Sequence, residues 1–193
     1  MTSQEQAFEN YGNNIWLPSI RRIIIEHSNK ELINKLLVYA QNVCGKDIEK
    51  EYIYESFNTF THGYVYYDDH RENSPILGFV IWKEKYNKAQ IRGGFSSFIY
   101  INLICVQNND KHICRRIMYD IEVIAIERKI NLIELHSLKN KVNLYKHFGY
   151  KMVREDTLEM SKIIITLPPA PPKLPTQSHS NETVHNCDPR SPL

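Results

Sequence analysis

The sequence predicts an α/β fold on a mixed, mostly antiparallel sheet, and three observations carry that prediction. Three strand-like runs, "HGYVYYD", "ILGFVIWKE" and "SSFIYINLICV", follow one another, and the turn "DHRENSP" joins the first two into an antiparallel hairpin or meander. A long amphipathic helix, "HICRRIMYDIEVIAIERK", then leads into another strand, "NLIELHSL". Two more strand-like runs, "YKMVRE" and "TLEMSKIII", close the pattern. A strand–helix–strand unit set among meandering strands makes the sheet mixed.

Each element has its own local reason. "IRRIIIE" (20–26) is apolar enough for a first strand. A helix over 29–45 follows from Leu32, Leu36 and Tyr39 on one stripe, with Ile33, Leu37 and Ala40 beside it. Ser28 or Asn29 can cap its start and Gly45 can end it. "DIEKEYIYESFNTF" reads as a second, weaker helix. In the long helix, Ile113, Ile117, Ile121 and Ile124 form the inner face. A right-handed crossover lays that helix on one face of the sheet. "NKVNLYKHF" is a short helix before the last two strands.

Bulk properties bound the function. The chain has 193 residues, with 42% hydrophobic and 24% charged content and a net charge of +2, as expected of a globular protein. That charge marks no nucleic-acid partner. Residues 1–18 form a polar arm, 19–166 the folded domain, and 167–193 a tail too rich in proline and too poor in apolar residues to bury itself. Within that tail, 168–173 ("PPAPPK") fits a polyproline-type docking motif for a protein partner. No apolar run reaches membrane-spanning length and no signal core opens the chain, so the expected location is intracellular and cytoplasmic. The four cysteines form no zinc-type spacing. Cys105, in an apolar strand, and Cys114, at a helix start, read as reduced thiols. No metal site is expected.

The loop "VQNNDKHICRRIM" is the candidate site. A strand feeding a helix presents free N–H groups and a helix dipole to an anion. Lys111, His112, Arg115 and Arg116 add positive charge there. No glycine is present, although glycine is what usually lets a phosphate approach. Asp110 has the opposite sign. As an N-cap, its carboxylate would satisfy the very N–H groups a pyrophosphate needs. Two states therefore stay open: a working anion cradle, or a turn that has closed itself. The expected state is the cradle. On this expectation, a side chain plugging that entrance would end the functional reading built on it.

From "ILGFVIW" through "LEMSKII" the chain resembles the GCN5-related N-acetyltransferase (GNAT) family, and the resemblance extends over about 20–165. "LYKHFGYK" matches that family's leucine-tyrosine, then glycine-aromatic pattern through Leu144, Tyr145, Gly149 and Tyr150. The resemblance implies a central sheet of about six to seven strands with helices on both faces. It also implies acetyl-CoA as cosubstrate and an amine as acceptor. The family's cofactor loop falls on Asn109, Asp110, Lys111, His112, Ile113 and Cys114, so that His112 and Cys114 stand where small residues are usual. A register starting at Gln107 instead puts Asp110 and His112 there. Asn140 lies near the family's cofactor-touching asparagine.

Acetyl transfer from a thioester to an amine needs a polarised carbonyl, a proton for the thiolate, and removal of the amine's proton. By resemblance, main-chain N–H groups at Cys105 and Val106 polarise the carbonyl and Tyr145 protonates the thiolate. A half-buried helix tyrosine is the competing reading of Tyr145. Glu134 and His136 lie two apart on one strand face, where they act on the amine or merely face water. Asn102 and the tyrosines of "HGYVYY" are further amine-side candidates. The alternative to an enzyme is a catalytically silent domain of the same fold that binds partners through its surface and tail.

Overall fold

A computed structural model of the protein describes residues 20–68, 74–87 and 96–164. The arm, most of the tail boundary and the 168–173 motif lie outside the described residues. The strands are β1 (Arg21–Ile24), β2 (His62–Tyr67), β3 (Ile76–Asn87), β4 (Ser96–Val106), β5 (Leu132–His136), β6 (Lys151–Arg154) and β7 (Glu159–Ile163). The helices are α1 (Lys30–Val43), α2 (Lys50–Thr59), α3 (Lys111–Glu127) and α4 (Val142–His147). One sheet runs in the order β1-β2-β3-β4-β5-β7-β6. Its strand pairs are antiparallel except β4 with β5, which are parallel. The sheet is therefore mixed and mostly antiparallel, as expected.

The two faces hold separate cores. On one, Ile113, Ile117, Ile121 and Ile124 of α3 pack on Val80, Trp82, Ile99, Ile101, Ile133 and Leu135. On the other, Leu32, Leu36 and Ala40 of α1, with Ile53 and Phe57 of α2, pack on Val65, Phe79, Ile81, Leu103 and Cys105. Asn29 caps α1 through its side chain, which accepts from Leu32 N at 3.0 Å. A β-bulge makes the two-sided packing possible. Ile81 pairs with Leu103 and Trp82 with Ile101, which leaves Asn102 as the extra residue. The alternation of β4 therefore changes phase. Ile99 and Ile101 face α3, while Leu103 and Cys105 face α1 and α2.

A buried carboxylate ties β1 and β2 to α3. Asp120 accepts from Tyr66 OH at 2.9 Å and pairs with Arg22 and Arg116, each at 3.1 Å. Arg116, expected to charge the anion loop, is thus engaged one turn further along the helix. Among the described residues, no helix is long and apolar enough to cross a membrane.

One sequence expectation fails here. Cys105 is not a reduced thiol: it forms a disulfide with Cys44, at a Cα–Cα distance of 6.1 Å. The physical reason is positional. Cys44 caps the end of α1, and the bulge turns Cys105 toward that same layer. Cys114 is free, as expected.

Candidate functional site

The chain crosses from β4 to α3 through a single 3-10 turn, Gln107–Asn109. Asn108 has φ 54°, a left-handed conformation that Asn tolerates better than most residues. Asparagine thus makes the turn where glycine would be usual. Asp110 follows as the N-cap of α3. Its Oδ1 accepts from His112 N at 2.8 Å and from Ile113 N at 3.3 Å. Of the two states left open by the sequence, the structure adopts the second. The expectation of vacant amides is therefore corrected: a carboxylate occupies them, because Asp is among the best N-cap residues and stands at the cap position.

Around this cap, Lys111 and His112 are exposed, while Cys114 and Arg115 are half-buried. Ile113 turns its side chain into the core. The first turn of α3 also crowds β3. A Cβ on Gly78 would meet Cys105 O at 2.9 Å and the Ile113 side chain at 3.2 Å, so glycine is required at that contact. Asn109 belongs to the 3-10 turn, and Asn140 lies exposed in a second 3-10 turn, Lys139–Lys141. Lys141 of that turn approaches Cys114, so the two loops border one another.

Beside the cap the sheet opens. β4 pairs with β5 only from Ile99 to Ile101, opposite Ile133 to Leu135. Beyond Ile101, β4 continues to Val106 with β3 as its only strand partner among the described residues. β5 ends at His136, so residues 102–106, including Cys105 and Val106, border a wedge on the β5 side of β4. Tyr145 of α4 reaches this region. Burial pushes its phenol well above the usual tyrosine range, and nearby Cys114 and Tyr52 push the same way.

Tyr52 of α2 donates from its OH to Asn102 O at 3.0 Å, at the bulge where the wedge begins. Its phenol lies near that of Tyr100, and each influences the other's hold on its proton. Tyr100 OH lies 3.2 Å from His136 Nδ1, and His136 is exposed. Two hydrogen bonds, Tyr52 to Asn102 and Tyr100 to His136, thus line the way from the wedge to an imidazole in water. Asn102 anchors the path from below, donating from Nδ2 to Thr59 Oγ1 at 3.0 Å. Glu134 and His136 do share a face, as their spacing implies. Glu134 lies opposite Tyr100 in register, half-buried. Burial raises its carboxyl above the usual range, and Glu159 adds to the effect.

Sequence reading missed Tyr52 and Tyr100. With twelve tyrosines in the chain, only tertiary placement singles these two out. Of the "HGYVYY" tyrosines, Tyr66 binds Asp120 on the opposite face and does not approach the wedge.

The sequence matches no protein-family model and none of the curated proteins. Many solved structures do match the chain's fold. One is NAA60 from Arabidopsis thaliana in complex with acetyl-CoA, at 16% identity and a TM-score of 0.57, covering 76% of this chain and 99% of that one. Another is Tetrahymena GCN5, at 12% identity and a TM-score of 0.53, covering 77% and 98%. A third is a GNAT-family acetyltransferase from Staphylococcus aureus, at 12% identity and a TM-score of 0.52, covering 76% and 100%. Taken together, these likenesses show that the chain has the fold of the GNAT acetyltransferases.

Proposed function

We propose that the protein transfers acetyl from acetyl-CoA to a primary amine. The observation that carries this reading is the wedge on the β5 side of β4, with Tyr145 near it and Tyr52, Tyr100 and His136 lining the way out of it.

The cofactor must first fit. Its diphosphate end meets the Asp110 carboxylate on the amides it would use. An N-cap contributes about 1 kcal/mol, whereas micromolar binding corresponds to about 8 kcal/mol. Turning Asp110 outward therefore weakens binding roughly five- to tenfold without abolishing it. Lys111 and Lys141 bring positive charge toward that end. The requirement for amides already vacant was too strict on these magnitudes. Main-chain N–H groups of 111–113, the ones without a partner carbonyl in the first turn, would hold the diphosphate, and the N–H of either Cys105 or Val106, whichever points away from β3, would meet the carbonyl. When bound, acetyl-CoA supplies the acetyl group as a thioester.

The chain's own residues then have distinct tasks. With its proton on Nε2, His136 accepts from Tyr100 OH. An amine beside Tyr100 passes a proton to that oxygen as Tyr100 passes its own to His136. The nitrogen–carbon bond forms and the carbon–sulfur bond breaks. Tyr145 donates its proton to the departing sulfur. Burial makes this phenol a reluctant acid, so it keeps its proton until negative charge develops beside it. Glu134, directly opposite Tyr100 in register, acts on this path electrostatically.

The test is acetyl transfer followed by mass spectrometry, using labelled acetyl-CoA and a panel of amines, with calorimetry of cofactor binding. Transfer that depends on Tyr145 supports the reading. The cap on α3 favours a second reading, a domain of the same fold that binds partners and no cofactor. Absence of any heat at millimolar acetyl-CoA would decide for it.

A further inference from the structure

Lys83 and Lys85 stand on β3 beside the mouth of the wedge. They lie opposite Tyr100 and Phe98 in register, on the same face as Glu134 and His136. Lys85 Nζ sits 3.9 Å from the centroid of the Tyr100 ring, and Lys83 Nζ sits 5.3 Å from the same centroid. Two ammonium groups over one ring repel each other. Burial and Lys83 together hold the Lys85 ammonium below its usual range. Among the described residues neither ammonium has a carboxylate within 4.0 Å. Glu159 is paired with Arg154 at 2.6 Å, and Glu134 and Glu159 attract Lys85 only from beyond ion-pair distance. Attraction to the ring offsets part of the repulsion. The two ammonium groups thus share one aromatic face with no carboxylate in ion-pair contact among the described residues.

We propose that the acceptor carries an acidic group close to its amine, and that Lys83 and Lys85 receive this group. The proposal rests on the acetyltransferase reading for the identity of the amine site. The Tyr100 hydroxyl is on the ring that the two ammonium groups cover. An acceptor whose amine lies at that hydroxyl therefore presents its next few atoms to Lys85 and then to Lys83. An acidic peptide with a free N-terminus, or a small amino acid-like amine, fits this order of charges. A polybasic acceptor meets two like charges.

The experiment measures binding, so its outcome is separable from catalysis. Fluorescein-labelled peptides with a free amino terminus and three acidic, neutral or basic residues after it are titrated with the full chain, and anisotropy is read. The acidic peptide is expected to bind at least tenfold more tightly than the neutral one at low salt, with the advantage shrinking as salt rises. Lys83→Gln combined with Lys85→Gln removes the advantage while the circular dichroism melt is unchanged, and Lys85→Glu turns the preference toward the basic peptide. Equal binding of the three peptides, no binding of any, or a preference that survives Lys83→Gln with Lys85→Gln overturns the proposal. The acetyl-CoA calorimetry described above is independent of all three peptides and reports separately on the transferase reading.

Discussion

At the residue scale, Asp110 is the side chain on which the cofactor question turns. Its carboxylate satisfies two amides at the front of α3. Asp110→Ala is expected to lower stability by about 1 kcal/mol and to tighten acetyl-CoA binding several-fold. Chemical denaturation and calorimetry on the same variant read both effects. Opposite signs are the informative result, because a purely structural cap moves stability alone. Tyr145→Phe is expected to lower kcat by roughly 10²-fold or more with little change in KM, the range for losing a positioned acid. Tyr100→Phe and His136→Ala should each do likewise. Because they form one path, the double variant should be scarcely worse than either single one. Additive losses would separate the two residues.

Glu134 yields a pH prediction. Its folded-state affinity for a proton is raised, first by burial and then by Glu159. The folded state thus holds this proton more tightly than the unfolded chain. The Glu134 contribution favours folding below the ordinary carboxylate range and is lost as pH rises through the raised value. Glu134→Gln should therefore stabilise the protein at neutral pH by under about 1 kcal/mol, since the group is half exposed. The gain should vanish at acid pH. Melting curves at several pH values check the sign.

At the scale of elements, the strands and helices were legible because their apolar periods are long and distinct. Ile113, Ile117, Ile121 and Ile124 mark α3 without ambiguity, and all four are buried. Asn29 was one of two possible caps for α1, and its side chain makes the bond. The bulge was not legible. "FIYINLICV" is apolar at nearly every position, so no break in alternation betrays the phase change at Asn102. The disulfide was hidden for a related reason. Cys44 and Cys105 lie 61 residues apart on different elements, and only the phase change turns them toward one layer. By the loop-entropy model such a link stabilises by about 4 kcal/mol at most. Reduction, or Cys44→Ala with Cys105→Ala, should lower the denaturation free energy by up to that amount. An unchanged midpoint under reducing conditions would contradict the tie between α1 and β4.

At the scale of the whole molecule, the site arises where the connection pattern changes. A meander brings β4 beside β3, a crossover helix brings β5 parallel to β4, and their pairing stops after three residues, near the end of β5. The Asp110 cap was one of the two states the sequence left open, and it is the one adopted. Its occupancy was not readable, since sequence does not say which of two acceptors a backbone N–H prefers. Tyr52 and Tyr100 became visible only once α2 and β4 were set side by side.

The most direct measurement is the thermal unfolding midpoint of the full chain with and without acetyl-CoA. A cosubstrate that binds the wedge adds about 2.7 kcal/mol at 100 times its dissociation constant, so the midpoint should rise with concentration, and rise further in Asp110→Ala. A midpoint that stays fixed up to millimolar acetyl-CoA, in both proteins, contradicts the account.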